Sequence, residues 1–81
     1  MSKIRVLLAD DQALLVAALS TILNAQEDIE VVTTAHTGNE AVTAAISHRI
    51  DVAILDIRMP GMDGIAAAQA ILSRVPDCRI I

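Results

Sequence analysis

Three aspartates stand where a charged side chain is costly unless something pairs with it. Asp10 and Asp11 directly follow the apolar segment IRVLLA, and Asp56 directly follows the apolar segment VAIL. A charge at the end of a buried strand costs several kcal/mol if it is left unpaired. A hard cation such as Mg²⁺ would relieve the repulsion among three converging carboxylates and neutralise an incoming phosphoryl group. Asp56 could then act as a nucleophile and form an aspartyl phosphate.

The competing interpretation of these acids is structural. Asp11 could be only the N-cap of a first helix, and Asp10 only a solvated loop acid. Asp63 precedes Gly64 and a helical pattern, which favours an N-cap over a site residue. For a lone aspartate the structural interpretation is favoured. Two acids after one strand and a third after another favour a metal site.

The acids converge only if the segments before them are neighbouring parallel strands. Segments 4–9, 29–35 and 51–55 are aliphatic and β-branched and predict buried strands, and a fourth strand begins at 78–81. Between them, apolar residues three and four apart predict helices, the second with a capping box from Thr37 to Glu40. This alternation predicts a parallel α/β sheet whose functional crevice lies beyond the carboxyl ends of the strands. The predicted buried stripes are Leu15, Ala18, Leu19, Ile22 and Leu23; Val42, Ala45, Ile46 and Arg49; and Ile65, Ala68, Leu72 and Val75.

Composition narrows the function classes. The chain has 81 residues, 54% of them hydrophobic and none aromatic, so it forms at most one small domain with an aliphatic core. Six scattered basic residues and a net charge of −4 argue against direct nucleic-acid binding. No apolar run approaches the ~20 residues of a membrane span, and the single cysteine, Cys78, predicts a buried free thiol. These features predict a soluble, cytoplasmic protein with no membrane association.

The other residues that could bind a metal or a ligand have ordinary structural explanations. His36 and His48 have no ligand partners at suitable spacing, which predicts ordinary surface or loop residues. Met59 and Met62 are predicted to pack the turn after the third strand.

Four segments together resemble the receiver domain of bacterial two-component response regulators. They are 6–11 (VLLADD), 28–32 (DIEVV), 37–42 (TGNEAV) and 51–64 (DVAILDIRMPGMDG). The chain is similar to the variant usually fused to a LuxR-type helix-turn-helix, the NarL/FixJ class. The resemblance implies a flavodoxin-like (CheY-like) doubly wound sheet of strand order 2-1-3-4-5, here incomplete as β1-α1-β2-α2-β3-α3-β4.

Position by position, the resemblance implies a phosphoryl-transfer site. Asp56 corresponds to the acceptor of a phosphoryl group from a histidine kinase or a small donor such as acetyl phosphate. Asp11 and Asp56 are expected to bind Mg²⁺ directly, Asp10 mostly through water, and the backbone carbonyl of Arg58 is expected to add a further ligand. Gln12 stands where histidine is frequent in this class.

The resemblance also sets what the 81 residues are expected to lack. The family's Ser or Thr at the end of strand four, and its Lys at the end of strand five, have no counterpart here. Residues 1–81 are therefore interpreted as the N-terminal part of a receiver domain, truncated at the start of strand four, with its DNA-binding output domain absent. Such a chain is expected to keep a partial metal site, to phosphorylate poorly or not at all, and to self-associate or form a domain-swapped dimer.

Two other function classes remain open at this point. A Mg²⁺-dependent phosphohydrolase with an aspartate nucleophile usually repeats the acid two residues later, where this chain has Arg58. A phosphorylation-independent interaction module could use the same fold. The favoured hypothesis is a switch module, not an enzyme, that serves a DNA-binding transcription regulator.

Overall fold

Over residues 3–81, four parallel strands alternate with three helices. The structure, a computed structural model, describes residues 3–81. The elements are β1 (Ile4–Ala9), α1 (Ala13–Asn24), β2 (Ile29–Ala35), α2 (Gly38–Ser47), β3 (Val52–Leu55), α3 (Gly64–Arg74) and β4 (Arg79–Ile80). The sheet order is β2-β1-β3-β4, so the chain crosses over β1 between β2 and β3. This reversal of strand order confirms the CheY-like arrangement and puts the ends of β1 and β3 side by side.

The sheet separates two apolar layers. Leu7 and Ala9 of β1 belong to the main core with Ala41, Ala45 and Ile71 of α2 and α3. The alternate residues of β1, Val6 and Leu8, are also buried, and by the two-residue period of a strand they face α1 on the other side. Because both faces are covered, β1 reads as the continuous apolar run expected of a parallel strand.

Helix α1 buries a stripe that shares only Leu19 and Leu23 with the predicted one. Val16 is 4% exposed, and Leu19, Ser20 and Leu23 are partly buried at the matching spacing of three and four. The predicted positions Leu15, Ala18 and Ile22 are exposed instead. Nine of the twelve residues of ALLVAALSTILN are apolar, so several faces satisfy the helical period, and the polar Ser20 makes the buried face look less apolar than it is.

The predicted stripes of α2 and α3 are buried only in part: Ala45 is buried and Val42, Ala68 and Val75 are partly buried, whereas Ile46, Arg49, Ile65 and Leu72 are exposed. Small residues at Ala41, Ala45 and Ala67 face the sheet with Ile71, while Ile46 is exposed. Ile65 is 59% exposed and lies, with other apolar side chains, along an open channel between α3 and β4. We call this channel the α3–β4 groove; its apolar lining is Leu55, Ile57, Ile65, Ala68, Leu72, Ile80 and Ile81.

A β-bulge interrupts the regular pairing of β1 with β2. Val6 pairs with Val31 but Leu7 pairs with Thr33, which leaves Val32 as one extra residue in β2. The side-chain oxygen of Asn24 at the end of α1 accepts a hydrogen bond from the Val31 amide at 2.8 Å. That amide is thereby satisfied at the point where the ladder is irregular.

One carboxylate organises the amino-terminal edge of the sheet. Asp51 accepts a hydrogen bond from the Arg5 amide at 2.8 Å and forms an ion pair with Arg49 at 3.1 Å. The Asp51 amide donates to the Arg5 carbonyl, and the Arg79 amide donates to the Asp51 carbonyl. Asp51 therefore ties the starts of β1, β3 and β4 together, and its charge has partners.

The free thiol is buried as the sequence predicts. Cys78 is 3% exposed, and burial raises the pKa of its thiol above the ordinary 9.0. Nearby Asp51 adds to the rise in pKa and a backbone hydrogen bond at Ala53 opposes it.

Over the described residues, no helix is both long enough and apolar enough to cross a membrane.

Candidate metal centre

Backbone hydrogen bonds align the carboxyl ends of β2, β1 and β3. The Asp10 amide donates to the Ala35 carbonyl at 3.1 Å, and the Asp56 amide donates to the Ala9 carbonyl at 2.9 Å. Each bond extends the parallel ladder by one residue past the last strand residue. The first residue after β1 and the first residue after β3 are therefore held beside each other at the carboxyl edge of the sheet.

The structure brings the three acids together. Asp10, Asp11 and Asp56 each offer a carboxylate oxygen, and these oxygens lie within 4.8 Å of one another. Asp10 and Asp56 are partly buried and Asp11 is exposed, so the cluster opens to solvent on the side of Asp11. The convergence agrees with the sequence analysis, whereas the roles of the three residues as ligands stay predictions.

The capping interpretation fails for Asp11. Gln12, in an extended conformation, occupies the N-cap position of α1, and its side chain makes no capping bond. Asp10 rather than Asp11 supports this helix start, because its Oδ1 accepts a hydrogen bond from the Gln12 amide at 2.9 Å. Within residues 3–81, no hydrogen-bond donor approaches the carboxylates of Asp11 and Asp56, so both are free to bind a cation.

The donor set fits Mg²⁺ better than a softer ion. The cluster offers only carboxylate oxygens, and neither histidine nor Cys78 belongs to it. The three oxygens lie within 4.8 Å of one another, which is close enough for all three acids to contribute to one cation site. Arg58 lies two residues beyond Asp56 in the same exposed loop, and its carbonyl as a ligand stays a prediction.

The loop from β3 to α3 is packed so closely at Gly64 that it leaves no room for a Cβ there. A Cβ on Gly64 would lie 2.2 Å from the carbonyl oxygen of Asp56. The Gly64 amide donates to the Ile57 carbonyl at 2.9 Å, which folds the start of α3 back onto the residue after Asp56. Asp63 caps α3 through a 2.8 Å bond to the Ala66 amide, as predicted, and takes no part in the acid cluster.

The same loop rests on the start of α2. A Cβ on Gly38 would lie 2.0 Å from the carbonyl oxygen of Met62. Thr37 accepts a hydrogen bond from the Glu40 amide at 3.1 Å, which confirms the predicted N-cap of α2. Met59 is buried, as expected for a residue that packs the turn.

One contact at the site was not predicted from the sequence. The imidazole Nδ1 of His36, at the end of β2, lies 3.1 Å from the carbonyl oxygen of Asp10, and Glu40 accepts a hydrogen bond from the His36 amide at 2.9 Å. His36 is exposed, as predicted, but it is not remote from the acids. No local pattern signals this contact, because the two residues are 26 positions apart and meet only through the register of β1 and β2.

Comparison with known proteins supports one family. Residues 6–81 match the family model of the response regulator receiver domain. Among curated relatives, a protein-glutamate methylesterase/protein-glutamine glutaminase from Caldanaerobacter subterraneus is 51% identical over 79 residues, covering 98% of this chain and 21% of the relative. The oxygen regulatory protein NreC of Staphylococcus epidermidis is 45% identical over 78 residues, covering 95% and 36%.

A solved structure shows the same fold. The CheX–CheY–BeF₃–Mg²⁺ complex from Borrelia burgdorferi contains a chain that is 34% identical, with a TM-score of 0.89, and the match covers 98% of this chain and 60% of that one. The 81 residues thus span 21% and 36% of the two curated relatives and 60% of the solved chain.

Proposed function

This chain belongs to the response regulator receiver domain family, and from that premise we propose that it accepts a phosphoryl group on Asp56 with the help of Mg²⁺. The observation that carries the proposal is the convergence of Asp10, Asp11 and Asp56 at the carboxyl edge of the sheet. The Borrelia complex contains BeF₃ and Mg²⁺, and because BeF₃ resembles a phosphoryl group it supports the same chemistry.

The three aspartates would have different roles in the phosphoryl transfer. A carboxylate oxygen of Asp56 attacks phosphorus and forms an O–P bond, while the bond from phosphorus to the donor breaks and its electron pair leaves with the donor. Asp10 and Asp11 would hold Mg²⁺, which when bound supplies positive charge to the phosphoryl oxygens. The backbone bond from the Asp56 amide to Ala9 keeps the nucleophile at the level of these two acids.

The partners follow from this role. A sensor histidine kinase would be the physiological donor, and small molecules such as acetyl phosphate would serve as well. The chain's own catalysis would be limited to its phosphorylation and dephosphorylation. Cytoplasmic residence is part of the proposal because a free thiol such as Cys78 persists in a reducing compartment.

We propose that the parent protein is a transcription regulator of the NarL/FixJ class, with this chain as the N-terminal part of its receiver and DNA bound only through a further domain. The match to NreC supports this output. The match to a methylesterase favours a second candidate, in which the receiver regulates an enzyme domain. The sequence of the parent protein after the receiver distinguishes the two.

The experiment that tests the site is intact-mass analysis after incubation with acetyl phosphate and Mg²⁺. We expect one phosphoryl adduct on the unmodified chain, and no adduct with Asp56→Asn or with chelator. Asp63→Asn is the matched control, since that acid caps α3 and should leave the adduct in place. An adduct that survives Asp56→Asn would contradict the assignment, and no Mg²⁺-dependent response to a phosphoryl analogue would favour a phosphorylation-independent module.

We also propose that the chain self-associates through the α3–β4 groove. The groove presents the apolar side chains of Ile57, Ile65 and Ile80 beside the outer edge of β4, whose backbone groups can pair with another strand. Light scattering at micromolar concentration is expected to show dimers or larger species, and Ile65→Asp is expected to shift them toward monomer. A monomer at the same concentration before any substitution would contradict this expectation.

A further inference from the structure

We infer that His36 is a positioning residue for the metal site, which acts by fixing the peptide group between Asp10 and Asp11. This inference rests on the proposed role of these acids in binding Mg²⁺. A carbonyl oxygen can only accept, so the 3.1 Å contact requires that the Nδ1 of His36 carries the hydrogen and donates it to Asp10.

The Asp10 carbonyl can influence the position of the neighbouring acid, Asp11. It belongs to the planar peptide unit that joins Asp10 to Asp11, so its direction sets how the Cα of Asp11 is presented to the site. The other polar groups of Asp10 near this peptide also have partners: its amide donates to Ala35 and its Oδ1 accepts from Gln12. With the bond from His36, these three groups of Asp10 each have a partner, and its Oδ2 accepts no hydrogen bond from residues 3–81.

His36 is itself held in place from a second element. Glu40 in the first turn of α2 accepts a hydrogen bond from the His36 amide at 2.9 Å. The Glu40 amide in turn donates to the Thr37 hydroxyl, within the cap of α2. A continuous set of hydrogen bonds therefore runs from the start of α2 through His36 to the loop that carries two of the three acids.

Such bracing matters because the acids repel one another without a cation. A loop free to move would separate Asp11 from Asp56, and binding Mg²⁺ would then require the loop to be ordered again. Removing the donor of His36 should therefore weaken Mg²⁺ binding although the ring is not a ligand. For one partly exposed hydrogen bond the expected loss is about three- to tenfold in affinity.

The chain contains a matched control. His48 is also exposed, and its Nδ1 also lies 3.1 Å from a backbone carbonyl oxygen, that of Ala44. It follows the last residue of α2, at the opposite end of that helix from the acids. His48→Leu removes a hydrogen bond of the same type and length without touching the β1–α1 loop.

The experiment is an NMR titration with Mg²⁺ of the unmodified chain and of three variants. His36→Leu is expected to bind about three- to tenfold more weakly, and His36→Asn, whose amide can donate from the same place, to recover most of the affinity. His48→Leu is expected to bind like the unmodified chain. Equal binding by His36→Leu and the unmodified chain, or equal weakening by His36→Asn or His48→Leu, would overturn the positioning role.

A second measurement needs no substitution. Imidazole ¹⁵N shifts of the unmodified chain should show the Nδ1–H form of neutral His36, and Mg²⁺ should move the ring signals of His36 but not those of His48. A dominant Nε2–H form would overturn the inference even if a variant failed to fold. Absence of Mg²⁺ binding by the unmodified chain would instead overturn the proposed metal site, and the positioning role with it.

Discussion

Gly64→Ala is expected to cost about 2–4 kcal/mol of folding free energy. The added Cβ would lie 2.2 Å from the carbonyl oxygen of Asp56 and 2.9 Å from its carbonyl carbon, so backbone rather than a flexible side chain has to move. The displaced segment carries the proposed phosphoacceptor, so Mg²⁺ binding should weaken together with stability. Urea denaturation followed by circular dichroism, and a Mg²⁺ titration of the same variant, measure the two effects.

Gly61→Ala is the control for this substitution. Gly61 has φ of +74°, which disfavours a side chain, but a Cβ there would meet only the Asn39 amide nitrogen at an ordinary 3.5 Å. Its expected cost is about 1 kcal/mol, from backbone conformation alone. Equal midpoints for the two variants would contradict the account of close packing at Gly64.

Asp11→Ala and Asp63→Ala are expected to have opposite effects although they remove the same group. Asp11 lies in the acid cluster, so its loss should weaken Mg²⁺ binding about tenfold or more and, by relieving repulsion, leave the metal-free fold at least as stable. Asp63 caps α3 through the Ala66 amide, so its loss should cost about 0.5–2 kcal/mol and leave Mg²⁺ affinity unchanged.

The pair is measured by Mg²⁺ titration and by thermal unfolding with and without the ion. Because each variant loses one negative charge, the general attraction of the chain for cations falls equally in both. A comparable loss of Mg²⁺ affinity in Asp63→Ala would show that net charge, rather than the cluster, determines binding. Strong destabilisation by Asp11→Ala without metal would return that residue to a structural role.

The sequence was sufficient to predict the sheet and the meeting of the acids. Strands such as VAIL are short, continuously apolar and end on a carboxylate, so their existence and end points follow from local composition. The caps at Thr37 and Asp63 were predicted equally well, because a capping side chain acts within three residues of its own position.

Features that depend on which helices and strands pack against each other were not predicted. Ile65 was expected to be buried because it is large and apolar, yet the small Ala67 faces the core and Ile65 lies along the α3–β4 groove. The bulge at Val32 sits among β-branched residues that all suit a regular strand. The bond from His36 to Asp10 exists only once β1 and β2 are aligned, so no window of the sequence contains it.

The two rims of the sheet differ in how completely their carboxylates are satisfied. At the amino-terminal rim, Asp51 has a backbone amide and an arginine as partners. At the opposite rim, Asp11 and Asp56 accept no hydrogen bond from the described part of the chain. In a library of single substitutions, selection for thermal tolerance should therefore accept changes at Asp11 and Asp56 and remove those at Asp51, whereas selection for cation binding should remove changes at Asp11 and Asp56 first. Asp51, which supports the fold, and Asp11 and Asp56, the proposed ligands, thus lie at opposite ends of the same strands.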